Sequence, residues 1–169
     1  MILIVGYPDS GKSAAAEEMA LQISGPGERI YLATMIPYGD EGEERIRRHR
    51  EMRSGKGFNT IEAPFDIAGA LDGTEDAENK TVLLECLSNL VANELFERHT
   101  DPGETSAKLT SDVMELSEKV KDLIVVSNHF EPKGDYDPDT SMYIQTMDVI
   151  NGMLSEKADK TIYIEKQDS

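Results

Sequence analysis

The chain has 169 residues, a typical length for one domain, and it can bury a core without a disulfide or a structural metal. Its 33 acidic and 17 basic residues give a formal net charge of −16, which disfavours nucleic acid and anionic membranes as partners because polyanions are bound mainly through their phosphates. A single cysteine excludes an internal disulfide, and the apolar runs are too short to span a bilayer, so we expect a cytoplasmic protein without a signal peptide.

The predicted elements alternate along the chain. Short runs rich in Val, Ile and Leu are separated by longer segments of helical period, which predicts an α/β fold with a mostly parallel sheet flanked by helices. The polar segments 72–80 and 99–106 are expected to be surface loops. We expect strands at residues 1–5, 30–33, 59–62, 81–85, 123–127 and 161–164. Two apolar stripes at helical spacing are expected in the core: Leu109, Val113, Leu116 and Val120, then Tyr143, Met147, Ile150 and Leu154.

A phosphate-binding loop (P-loop) is predicted between the first strand and the first helix. The segment matches G-x-x-x-x-G-K-[ST], in which backbone amides and a helix N-terminus converge on phosphate oxygens. Lys12 is expected to contact the β and γ phosphates, and Ser13 to bind Mg²⁺. The alternative is a glycine-bearing turn without a ligand. The predicted loop consists of Gly6, Tyr7, Pro8, Asp9, Ser10, Gly11, Lys12 and Ser13.

Glu85 is the candidate for the second acidic group that a P-loop enzyme needs near its metal ion. It ends the apolar run that begins at Thr81, and a buried carboxylate without a partner is costly. We therefore expect Glu85 to face the cation, and Ser13 and Glu85 to be the metal ligands. The alternative is a carboxylate that points into solvent just past the end of the strand.

Five arginines lie within nine positions of an otherwise acidic chain and form what we call the arginine cluster: Arg45, Arg47, Arg48, Arg50 and Arg53. This cluster is where a small anionic ligand is expected to bind. His49 lies inside it, and neighbouring guanidinium groups oppose protonation of an imidazole. A neutral histidine among phosphate-binding arginines can attack a phosphorus atom. The alternative is a solvated basic helix face with an incidental histidine.

The chain resembles the adenosylcobinamide kinase/adenosylcobinamide-phosphate guanylyltransferase family in four blocks that occur in the family's order. They are the first strand with the P-loop; Tyr31-Leu32-Ala33-Thr34; Arg45-Ile46-x-x-His49-Arg50 followed by Thr60-Ile61-Glu62; and Leu83-Leu84-Glu85-Cys86-Leu87 with Asn89 and Asn93. A weaker fifth block is Val125-Val126-Ser127-Asn128, with Asn151 and Ala158-Asp159 beyond it. The resemblance covers nearly the whole chain.

The resemblance implies a bifunctional enzyme of cobalamin nucleotide-loop assembly. Such an enzyme phosphorylates the corrinoid adenosylcobinamide and then transfers GMP from GTP to that phosphate through a guanylylated histidine, which matches His49. It also implies GTP, ATP and Mg²⁺ as cofactors, a recombinase-like P-loop NTPase core over residues 1–169, and a homotrimer. Lys12 and Glu85 are implied as further catalytic groups. The implied nucleotide-binding residues beyond the P-loop are Ala33, Thr34, Met35, Arg50, Glu51, Met52, Arg53, Glu62 and Glu85.

The chain departs from the family pattern at several positions. Family members usually carry Gly and Arg in the P-loop where this chain has Tyr7 and Asp9, and the Asp9 carboxylate is expected to weaken nucleotide binding. Two alternative functions therefore remain: a P-loop kinase with another acceptor in which His49 is idle, and a divergent nucleotide-binding regulator without turnover. The later departures, which concern the corrinoid substrate and the trimer, are His129 and Phe130 after Asn128, and Ile144, Gln145 and Asp148.

Overall fold

The computed structural model describes residues 1–131 and 134–165; of the departing segment after Asn128, residues 132 and 133 lie outside this description. The strands are β1 (Ile2–Gly6), β2 (Arg29–Ala33), β3 (Phe58–Glu62), β4 (Thr81–Glu85), β5 (Asp122–Asn128) and β6 (Lys160–Ile164). The helices are α1 (Lys12–Ser24), α2 (Gly39–Ser54), α3 (Leu87–Ala92), α4 (Pro102–Lys119) and α5 (Pro138–Lys157). All six predicted strands are therefore confirmed.

The six strands form one sheet in the order β3-β2-β4-β5-β1-β6, and every neighbouring pair is parallel. Successive side chains of a strand point to opposite faces, so Leu3 and Val5 pack in one core cluster and Ile4 in the other. The face that carries Ile4 is covered by α1 through Ala16 and Ala20, whose small side chains allow the helix to approach the sheet.

The other face of the sheet packs against α3, α4 and α5. The two predicted stripes belong to its core: Leu109, Val113, Leu116, Val120, Met147, Ile150 and Leu154 are buried, and Tyr143 packs partly buried against them. Burial of a whole Leu or Ile side chain contributes roughly 1.5–3 kcal/mol, so these stripes are a main source of stability. Within the described residues, no helix is both long and apolar enough to cross a membrane.

The predicted loop at residues 99–106 is wrong in its second half, because α4 begins at Pro102. Asp101 caps the helix by accepting hydrogen bonds from the backbone N–H groups of Gly103 (2.9 Å) and Glu104 (3.3 Å). Proline at the first helical position costs nothing, since its missing N–H has no helical partner there. In the other predicted loop, residues 72–80, a single 3-10 turn forms at Ala77–Asn79.

Parallel pairing brings the carboxyl ends of all strands to one edge of the sheet. In the observed register Gly6 lies beside Asn128, and Ala33 lies between Glu62 and Glu85. Ligands of open α/β sheets bind in the crevice outside this edge. The P-loop after β1 and helix α2 after β2 both leave the sheet here, so the fold places the P-loop and the arginine cluster at the same edge.

Candidate active site

The P-loop has the backbone that its glycines predict. A side chain at Gly6 would put a Cβ atom 2.7 Å from Ser10 Oγ, and Gly11 adopts a left-handed φ of 86° just before α1. Lys12 is buried, and its ammonium group donates a hydrogen bond to the Tyr7 carbonyl at 3.1 Å. The Ser10 hydroxyl is buried without a hydrogen-bond partner among the described residues. The Lys12 ammonium group and the Ser10 hydroxyl thus lie within the turn that the glycines form, as a phosphate-binding loop requires.

Glu85 lies directly beside the P-loop. The Ser13 hydroxyl donates a hydrogen bond to Glu85 Oε1, and the Tyr31 hydroxyl donates one to Oε2 at 2.7 Å. Burial, and then the charge of Glu85, raise the pKa of Tyr31 well above its usual value, so the phenol stays protonated as a donor. A serine hydroxyl beside a carboxylate is the hard-oxygen donor set that Mg²⁺ takes together with water and phosphate oxygens.

Arg53 lies over the same site from helix α2. Its guanidinium carbon is 3.8 Å from the centroid of the Tyr31 ring, a cation–π contact. The side chain is only 8% exposed, yet Nε has no hydrogen-bond partner among the described residues. A buried guanidinium with an unused donor is costly unless an anion binds there.

His49 is on α2 one turn before Arg53, so the arginine cluster lies on a helix. Partial burial is the largest cause that lowers the pKa of His49, followed by the charges of Arg45, Arg53 and Arg48; Glu85 opposes the shift. The pKa therefore lies below its usual range, and the imidazole is mostly neutral at pH 7. A neutral imidazole keeps the lone pair that a nucleophile needs.

One cavity of about 390 Å³ joins Ser13, Glu85, Arg53 and His49, whereas residues 6–12 of the P-loop, Lys12 among them, do not line it. It lies between the P-loop side, where Ser13 and Glu85 are, and the α2 side, where His49 is. Eight of the predicted site residues line it: Ser13, Ala33, Thr34, Met35, His49, Met52, Arg53 and Glu85.

Three predicted nucleotide-binding residues are engaged in ion pairs with one another or with the arginine cluster. Arg50 Nη2 lies 2.6 Å from Glu62 Oε1, which ties α2 to the end of β3. Glu51 Oε1 lies 3.1 Å from Arg47, on an exposed face of the helix. The roles of Arg50, Glu51 and Glu62 in nucleotide binding stay predictions.

The cavity also contains residues that the sequence had not marked as site residues. Glu17 lies one helical turn after Ser13 on α1, and its carboxylate accepts a hydrogen bond from Lys56 at 2.7 Å. The spacing of four residues from Ser13 puts Glu17 on the same helix face and could have identified it. Tyr31 and Asn89 also line the cavity, but no spacing signal marks them before the sheet order is known.

Three residues at which the chain departs from the family pattern contact one another. The rings of Tyr7 and His129 are 5.3 Å apart, and His129 Nδ1 lies 3.8 Å from an Asp148 carboxylate oxygen. The His129 backbone N–H also donates to the Gly6 carbonyl at 2.9 Å. His129 and Asp148 therefore form one cluster with Tyr7 of the P-loop, although they are distant from it in sequence.

The all-parallel sheet, the P-loop after β1 and the carboxylate at the end of β4 define the class of this molecule as a P-loop NTPase-like α/β protein. A family model described as cobinamide kinase / cobinamide phosphate guanyltransferase matches residues 2–166. The chain therefore belongs to this family.

Two curated relatives match part of the chain. The bifunctional adenosylcobalamin biosynthesis protein CobU of Escherichia coli (strain K12) is 35% identical over 97 residues, which are 57% of this chain and 51% of that protein. The protein of the same name from Salmonella typhimurium (strain LT2) is 33% identical over 96 residues, 57% of this chain and 50% of that protein. The chain spans about half the length of the curated relatives it matches.

Among solved structures, the fold resembles an ATPase domain. The TM-score is 0.58 at 14% identity, and the match covers 96% of this chain and 68% of that chain. At this level of identity the likeness concerns the fold alone. It confirms the predicted P-loop NTPase-like α/β fold.

Removing the Asp9 carboxylate is expected to tighten GTP binding. Asp9 is exposed in the P-loop with a left-handed φ of 60°, a conformation that asparagine also tolerates, so Asp9→Asn removes the charge with little strain. We expect affinity for Mg-GTP to rise about threefold at low salt and the gain to shrink as salt is added. Titration calorimetry at two ionic strengths measures both effects. The same affinity in Asp9→Asn and the unchanged protein would mean that this side chain points away from the nucleotide.

Proposed function

We propose that this chain is a nucleotide-dependent transferase with both activities of its family, cobinamide kinase and cobinamide phosphate guanylyltransferase. The observation that carries the proposal is the cavity in which Ser13 and Glu85 of the phosphate side face the neutral His49 of α2. The family description and the printed role of the relatives in adenosylcobalamin biosynthesis support the corrinoid acceptor.

In the proposed kinase step, the P-loop binds the nucleotide triphosphate and Lys12 neutralises charge on the β and γ phosphates. The acceptor hydroxyl attacks the γ-phosphorus, the bond to the β–γ bridging oxygen breaks, and the hydroxyl proton is released. Ser13 and Glu85 would hold Mg²⁺, which supplies charge neutralisation when bound. Phosphoryl transfer needs little covalent help from protein, so positioning by the P-loop accounts for most of the catalysis.

In the proposed guanylyl step, a ring nitrogen of His49 attacks the α-phosphorus of GTP. A P–N bond forms, pyrophosphate leaves, and the imidazole carries GMP. The buried guanidinium of Arg53 stabilises the added negative charge on the α-phosphate, because its Nε is free to donate. The lowered pKa of His49 keeps the nucleophile unprotonated at neutral pH.

Other parts of the proposal rest on the family resemblance. They are one domain over residues 1–169, the use of both GTP and ATP with Mg²⁺, and a homotrimer. The proposed cytoplasmic location rests on the single cysteine and the short apolar runs, and the net charge of −16 disfavours nucleic acid as a partner.

Product formation tests this function. Purified protein is incubated with cobinamide and Mg-ATP or Mg-GTP, and products are separated by mass. We expect a phosphorylated corrinoid first and then, with GTP, a product that is heavier by one further GMP. Phosphorylation without GMP transfer would support a kinase in which His49 is idle. Nucleotide binding without either product would support the regulator.

A further inference from the structure

A second concavity adjoins the cavity towards the N-terminal half of α2. This groove of about 800 Å³ lies between the β2–α2 connection and the first half of α2. Met35 and Arg45 line both the groove and the cavity, so the two spaces meet at Arg45, one helical turn before His49. A ligand in the groove can therefore reach a group attached to His49.

The arginine cluster divides by what its members contact. Arg47 pairs with Glu44 and Glu51, and Arg50 pairs with Glu62. Arg45 and Arg48, by contrast, form no salt bridge within 4.0 Å among the described residues, and both line the groove. Arg48 lies one position before His49, and Arg45 lies one helical turn before it, where the groove meets the cavity. Two unpaired guanidinium groups at this junction suit a phosphate.

Part of the groove lining is apolar. Ile36 and Tyr38 form this part, and Tyr38 is 66% exposed although its hydroxyl donates a hydrogen bond to Glu97. Asp40 and Glu41 line the groove in the first turn of α2, and Glu44, which pairs with Arg47, lines it one turn before Arg48. Asp40 and Glu41 precede Arg48 by seven or eight residues, which is about 10–12 Å along a helix. The groove thus has an anion-binding end, an apolar part and an end that accepts hydrogen bonds from N–H groups.

We propose that this groove is the acceptor subsite of the guanylyl step and binds a phosphomonoester attached to a bulky body with an apolar surface and N–H donors. This inference rests on the proposed function. The phosphate of the acceptor contacts Arg48 and Arg45, and its body lies along Tyr38. In the transfer, an acceptor phosphate oxygen attacks the phosphorus of the GMP on His49. A P–O bond forms, the P–N bond breaks, and the released imidazole takes up a proton.

The test isolates this half-reaction. Wild-type, Arg48→Ala, Arg48→Lys and Lys121→Ala proteins are loaded with GMP from GTP, freed of nucleotide, and mixed with increasing cobinamide phosphate. The half-saturating acceptor concentration is expected to rise about tenfold in Arg48→Ala, because one charged hydrogen-bonded contact is lost. It should recover partly in Arg48→Lys, because lysine restores the charge. Lys121→Ala removes one positive charge from an exposed position just before β5, away from the groove, so it serves as the control and should match wild type.

Three results would overturn the inference. Wild-type half-saturation in a folded Arg48→Ala protein with a normal GMP load excludes the phosphate contact and overturns the inference alone. An equal rise in Lys121→Ala would attribute the effect to net charge and not to the groove. If wild-type protein never acquires GMP, the proposed function fails and the inference fails with it. Tyr38→Ala, tested in the same way, should raise half-saturation for cobinamide phosphate more than for a small phosphomonoester.

Discussion

Replacing Lys12 with alanine is expected to lower the affinity for Mg-GTP about 100-fold, or ~3 kcal/mol, because a buried charged donor to phosphate is lost. Lys12 is 8% exposed and its ammonium group already lies in the P-loop, 3.1 Å from the Tyr7 carbonyl, so little reorganisation is needed before it contacts a phosphate. Both proposed activities depend on bound nucleotide. Turnover should therefore fall at least as far as affinity at subsaturating GTP.

The control for this prediction is Lys121→Ala. Lys121 is exposed and precedes β5, at the edge of the sheet opposite the P-loop. Lys121→Ala removes the same charge from the chain, so comparing the two variants corrects the measured affinity for the change in net charge. Calorimetric titration with Mg-GTP gives both affinities, and circular dichroism establishes that each variant is folded. A folded Lys12→Ala protein that binds Mg-GTP as tightly as Lys121→Ala would exclude the P-loop as the nucleotide site.

Replacing His49 with alanine is expected to abolish GMP transfer, with product formation reduced about a thousandfold or more, because a covalent route loses its nucleophile. The kinase activity should persist, since Lys12, Ser13 and Glu85 are unchanged. Product assays with cobinamide and cobinamide phosphate as separate acceptors measure the two activities. Equal loss of both would contradict a role confined to the guanylyl step.

The matched control for His49→Ala is His99→Asn. His99 is exposed after the π-helical turn Asn93–Glu97 and has a left-handed φ of 56°, which asparagine tolerates. His99→Asn should transfer GMP at the wild-type rate.

In wild-type protein the transfer rate should fall as pH falls through the lowered pKa of His49, because the protonated imidazole has no free lone pair. A midpoint above the usual histidine pKa would contradict the burial and the arginine charges around this residue.

The sequence predicts the four inner strands β1, β2, β4 and β5 well because each is a short apolar run that is buried in the parallel sheet, whereas the edge strands β3 and β6 are more polar and partly exposed. The sequence does not predict the start of α4, because the polar residues Asp101 and Glu104 are also typical of a loop. They are instead the helix cap and its first turn, a pattern in which Asp-Pro marks a beginning.

The sequence predicts the P-loop, Glu85 and His49 as site residues because their residue types have local signals, and the structure places Ser13, Glu85 and His49 around one cavity. The sequence does not show which arginines of the cluster have partners, because some of these partners are distant in sequence. They are Glu62 for Arg50 and the Tyr31 ring for Arg53. The same holds for the contacts of Tyr7 with His129 and of His129 with Asp148, which form only when β1, β5 and α5 meet. Sheet order decides these contacts, and no spacing in the chain encodes it.

The central claim is that His49 carries GMP during turnover, and the mass of the intact protein after incubation with Mg-GTP tests it most directly. We predict a mass increase of one GMP that maps to His49, is lost in acid, survives alkali as a phosphoramidate does, and is absent from His49→Ala. Protein that binds GTP in calorimetry and yet shows no such increase would contradict the guanylyltransferase assignment.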